Sequence, residues 1–146
     1  MDHTPLSETS VHIDLDADVT TVWEALTTDT GFAAWMGEGA SIDAEPGGDL
    51  SAPDPVGGAE RLGRVDSIDE DRELRYRWWP ASDPDAASSV TIELEPLESG
   101  TRVTVVERPI VVSTALTHTP FAVMAGAAWQ WRSAMLSISV GCRVAT

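Results

Sequence analysis

An α+β fold, with a curved antiparallel sheet of about seven strands wrapped around a long C-terminal helix, follows from three features of the chain. The first is the stretch from Asp18 to Leu50, which holds a capped amphipathic helix, a second helical turn with its own Trp, and a Pro-Gly-Gly corner. The second is a succession of short alternating segments between Arg61 and Arg108, joined by polar turns. The third is an apolar stripe at helical spacing after Phe121.

Each element has its own local signal. Ser10–Ala17 alternates, with Val11, Ile13 and Leu15 on one side and His12, Asp14 and Asp16 on the other, the pattern of a half-buried strand. Val19, Val22, Trp23 and Leu26 recur at i, i+3, i+4 and i+7, predicting a helix over Val19–Thr28 with Asp18 as N-cap and Gly31 as stop. A short helical turn around Phe32–Trp35 follows, ended by Gly37. Ala40–Glu45 alternates again, and Glu45-Pro46-Gly47-Gly48-Asp49 turns into a further strand. Ala52–Ala59 is a loop.

Strands are then predicted at Arg61–Ile68, Glu73–Trp79, Ser89–Leu97 and Thr101–Arg108, separated by Asp69-Glu70-Asp71, Pro80–Ala87 and Glu98-Ser99-Gly100. Short strands with tight turns make an antiparallel meander. Ile110–Pro120 has no period, and Phe121 to about Val140 is one helix, with Met124, Ala128, Trp131, Met135, Ile138 and Cys142 on its apolar stripe. A sheet with one apolar face must bury it, and this last helix is the only long apolar one available.

Composition narrows the function. A chain of 146 residues fits one domain, 1–146, and buries enough surface to need no disulfide or metal. All nine basic residues are Arg, against 24 Asp and Glu, for a net charge of −15. That charge repels a phosphate backbone, so no nucleic-acid partner is expected. No apolar run reaches membrane-spanning length, so no membrane insertion is expected either. The N-terminus has no signal-peptide pattern, and Cys142 is the single cysteine; both suit a cytoplasmic location. Three His and one Cys lack metal-ligand spacing, and no phosphate loop or nucleophile elbow is present, so no metal or cofactor is expected.

Several motifs stand in a fixed order along the chain. They are Val22-Trp23-x-Ala25-Leu26-Thr27, Trp35, Pro46-Gly47-Gly48, Gly63-x-Val65, and Leu74-x-Tyr76-x-Trp78. Val90-x-Ile92-x-Leu94-x-Pro96-Leu97, Gly100-Thr101-x-Val103 and Trp131-x-x-x-Met135-x-x-Ile138 complete the set. In this order they resemble the START-like helix-grip superfamily, also called SRPBCC, and within it the branch named for the activator of the heat-shock-protein-90 ATPase, over roughly residues 8 to 143. Gln130 stands where the family often has Gly, with an additional Trp at 129, and the Pro109–Pro120 connection matches nothing in the family. The resemblance implies a cavity between sheet and last helix, used for lipids, polyketides or other hydrophobic small molecules.

Candidate site residues follow from which side chains face that space. Trp35, Tyr76, Trp78 and Trp131 would supply aromatic walls and Met124 and Met135 adaptable ones, unless the same groups simply fill the core. Glu107 shares a face with Val103 and Val105 if the strand continues through it, and would then be a buried ligand anchor or acid; if the strand stops at Val106, it is a rim residue. Tyr76 or an inward Arg is its expected partner. Arg64, Arg75 and Arg77 belong to the outer face.

The leading expectation is a domain that binds a small hydrophobic molecule. Two alternatives stay open. One is a cyclase or dehydratase-type enzyme with Glu107, Tyr76 or His118 in acid/base roles. The other is a co-chaperone-like module whose acidic surface recognises a protein partner. A homodimer would be one way to protect the sheet edges.

Overall fold

The computed structural model describes residues 8–53 and 60–110, together with 129, 132 and 136. The order is β1 (Thr9–Leu15), α1 (Val19–Thr27), α2 (Asp29–Met36), β2 (Ser41–Ile42), β3 (Asp49–Ala52), β4 (Arg61–Asp69), β5 (Glu73–Pro80), β6 (Ser88–Leu97) and β7 (Gly100–Pro109). All seven strands form one antiparallel sheet in the order β1-β7-β6-β5-β4-β3-β2. Most of the expected 52–59 loop, the connection beyond Ile110, and the expected last helix apart from three residues lie outside the described residues. Those three, Trp129, Arg132 and Leu136, are helical and buried, at i, i+3 and i+7.

The first helix forms as its pattern requires. Asp18 Oδ1 accepts from the Thr21 backbone N–H at 2.9 Å, and Val22, Trp23, Ala25 and Leu26 are buried on one face. That hydrogen bond holds the Asp18 carboxyl below its ordinary value of 3.8. A lowered folded value means the ionised cap stabilises above the ordinary value, and the contribution fades as pH falls through the lowered one. Asp18→Ala should therefore lower the unfolding midpoint at about pH 7 and do so less at about pH 2.5. Thermal melts at both pH values check this; an equal loss at both would show that ionisation plays no part.

Gly31 is not the stop of α1. Thr28 ends that helix and begins the next: it is extended, and its hydroxyl accepts from the Gly31 N–H at 3.0 Å. Gly31 lies in the first turn of α2, where a Cβ would come within 2.6 Å of Ala25 Cα and 2.7 Å of the Glu24 carbonyl. Its role is close approach of the two helices. Trp35 then reaches back from α2, donating its indole N–H to the Ala25 carbonyl at 2.9 Å, and so satisfies an acceptor in the last turn of α1.

The Ala40–Glu45 strand shrinks to Ser41–Ile42. Beyond Ile42 the chain turns, with Glu45 N–H bonding to Asp43 and Gly48 N–H to Glu45. The two corner glycines then clasp β4: Gly47 N–H donates to the Val65 carbonyl and the Val65 N–H to the Gly48 carbonyl, each at 2.8 Å. This clasp lies beside the register shift between Val65 and Ser67. The other strands keep their expected alternation. Leu74, Tyr76 and Trp78 from β5, Val90, Ile92 and Leu94 from β6, and Val103 and Val105 from β7 share the buried face with the two helices.

Candidate functional site

Register brings the site together on that buried face. Tyr76 lies opposite Val90, and Val90 lies opposite Glu107, so these three form one row across β5, β6 and β7. Trp78 lies opposite Ser88 in the next row, which puts Ser88 diagonal to Glu107. β7 continues to Pro109, so Glu107 points inward and is 2% exposed.

The Glu107 carboxylate is held from both sides. Its Oε2 accepts from the Trp78 indole N–H at 2.7 Å and from the Ser88 hydroxyl; its Oε1 accepts from the Trp129 indole N–H at 2.7 Å. The two indoles that grip it stack on each other, with centroids 5.8 Å apart and planes at 24°. The Arg132 guanidinium lies 4.8 Å from both ring centroids, a cation over two aromatic faces. Trp129 also meets Trp35 at 6.1 Å, Trp35 meets Phe32 edge-on, and Trp78 meets Tyr76 edge-on at 5.2 Å. Aromatic contact is thus continuous from α2 through the C-terminal helical residues to β5.

At this cluster the Tyr76 hydroxyl and Nη1 of Arg61 are buried without hydrogen-bond partners among the described residues. Burial pushes the Tyr76 phenol well above its ordinary value of 10.0, and nearby Glu107 pushes it further, while Arg132 and Arg61 oppose the shift. The hydroxyl therefore keeps its proton and remains a donor at neutral pH. Arg61 follows the β4 alternation, sharing a face with Gly63 and Val65, and its guanidinium lies 5.1 Å from the Trp78 ring centroid. Gly63, directly opposite Trp78, leaves room for this: a Cβ there would sit 2.8 Å from Trp78 Cβ and 2.5 Å from the Arg77 carbonyl.

Of the residues expected at the site, Trp35, Tyr76, Trp78 and Glu107 are all buried and joined through the cluster. Met124, Trp131, Met135 and His118 lie outside the described residues. Tyr76 does not hydrogen-bond to Glu107; Trp78, Ser88 and Trp129 take that role. Ser88, Trp129, Arg132 and Arg61 escaped the sequence reading. The signals were present, in the continued alternation of β4 through Arg61 and in the i, i+3, i+7 spacing of Trp129, Arg132 and Leu136. The outer face is as expected: Arg64, Arg75 and Arg77 pair with Asp49, Glu73 and Asp66. Among the described residues, no group of three His, Cys, Asp or Glu side chains could hold a metal ion, and no helix is long and apolar enough to cross a membrane.

Known proteins share this architecture. Protein MLL2253 from Mesorhizobium loti superposes with a TM-score of 0.75 at 18% identity, over 93% of this chain and 97% of that one. The Aha1 dimer from Colwellia psychrerythraea gives 0.71 at 18% identity, over 91% and 95%. DynU16, from the dynemicin biosynthetic locus, gives 0.75 at 19% identity, over 92% of this chain but 47% of that one. At these identities the likeness establishes the fold. No curated protein matches the chain. The family model described as Activator of Hsp90 ATPase homolog 1-like protein matches residues 16–135.

Proposed function

The chain belongs to the Activator of Hsp90 ATPase homolog 1-like family, and on that premise we propose that it binds a small, largely apolar molecule against the aromatic cluster of its inner sheet face. The observation that carries this reading is the use made of Glu107. A buried carboxylate is an expensive group in a core, and here it fixes the edges of two indoles that stack on each other, with Arg132 over both rings and Arg61 over Trp78. Rings held in this way are fixed in place before any ligand arrives, and pre-organisation lowers the ordering cost of binding. Met124, Trp131 and Met135 would complete the wall from the C-terminal segment. DynU16 belongs to a biosynthetic locus, which supports a small-molecule role by analogy of fold alone.

The acid/base reading has less support. Glu107 already accepts three hydrogen bonds out of about four lone-pair positions, and two of its donors are indoles that cannot reverse direction. That occupancy favours a positioning role over proton transfer. Native mass spectrometry against mixed lipids and fused-ring aromatics, read alongside Trp emission, tests the binding reading. A stoichiometric complex that shifts the emission is expected. No binder across the library, with emission unmoved, would overturn it.

A further inference from the structure

Among the described residues, Arg64, Arg72, Arg75, Arg77, Arg102 and Arg108 each reach a carboxylate. Among the same residues Arg61 reaches none. It turns inward instead and lies over the Trp78 ring, with Nη1 buried and lacking an acceptor among the described residues. The hydroxyl of Tyr76, which meets the same ring edge-on, is also buried and lacks a partner among the described residues. Buried donors are seldom left unmatched, because each loses its hydration without replacement. Both belong to side chains that touch the Trp78 ring, Arg61 is near enough to act on the Tyr76 phenol electrostatically, and one of the two is a permanent cation.

We propose that this corner receives the anionic oxygen of a ligand, a carboxylate on an apolar or aromatic body, with Arg61 and the Tyr76 hydroxyl as donors and Trp78 beneath. The inference deepens the binding reading above and rests on it. A guanidinium–carboxylate contact is charge-assisted and directional, so it selects acids over their neutral analogues. It also explains an inward Arg in a chain whose acidic surface would otherwise disfavour anions. The ring body would take the apolar surface, and the two donors would set its orientation.

Calorimetric titration of the full chain with 2-naphthoate and with methyl 2-naphthoate, at about pH 7, tests the inference. The acid should bind roughly tenfold or more tightly than the ester. Arg61→Met should abolish that preference, Arg61→Lys should keep part of it, and Tyr76→Phe should weaken the acid by about threefold to tenfold. Thermal melts of each variant separate loss of recognition from loss of fold. Equal binding of acid and ester, or a preference that survives Arg61→Met, overturns the inference and leaves the two donors to a resident water. Binding of neither probe at millimolar concentration also overturns it. The binding reading falls as well only if the lipid and aromatic library finds no ligand, since neutral apolar hits would keep it standing.

Discussion

Replacing Glu107 with Ala is expected to destabilise the fold by about 3–5 kcal/mol, the range for removing one partner of a buried charged network. The two indole N–H groups and the Ser88 hydroxyl would lose their shared acceptor in a place where water does not reach. Glu107→Gln is the sharper test, because it preserves shape. Both carboxylate oxygens accept from an indole, and an amide offers only one oxygen, so one indole N–H must then face an NH2 group. A loss of about 1–3 kcal/mol is expected, with a change in near-ultraviolet circular dichroism from the displaced Trp. Denaturant titrations of both variants measure this. A Gln variant as stable as the parent, with an unchanged aromatic spectrum, would show that the carboxylate does not hold the indoles.

Trp35→Ala should cost about 3–5 kcal/mol, the usual range for emptying a large buried aromatic site. Trp35 is 1% exposed and touches both Phe32 and Trp129, so its removal leaves a void between α2 and the cluster. Trp35→Phe fills most of the space but removes the donor to the Ala25 carbonyl, and should cost about 1–2 kcal/mol. The comparison separates packing from capping. Equal losses for Phe and Ala would assign the whole effect to the hydrogen bond; no loss for Phe would assign it to volume.

The sheet was legible because its signal is periodic and its turns are polar. β4 and β5 begin at the expected residues and each runs one residue further, while β7 extends by one residue at each end. What failed was tied to residues whose role depends on distant neighbours. Ser88 carries no hydrophobic signal, and only its register opposite Trp78 makes it a donor to Glu107. Arg132 breaks an apolar stripe, so a search for apolar spacing passes over it even though it is buried against two indoles. The inward face of Glu107 was readable from alternation. Its partners were not, since alternation fixes a side and says nothing about what stands across from it. Gly31 was misread because a glycine after a helix serves equally as a terminator and as a point of close approach.

The sheet order also sets an order of assembly. From β2 to β7 every strand pairs with its sequence neighbour, so hairpins can close as the chain supplies them. β1 is the exception. It is the first strand in sequence, yet its neighbour in the sheet is β7, the last of the seven. Closing so long a loop is entropically demanding and slows folding relative to local pairing. β1 therefore cannot take its place in the sheet before β7 is there to receive it. When it docks, Thr9 settles opposite Glu107. The final closure of the sheet falls on the strand that carries the buried carboxylate.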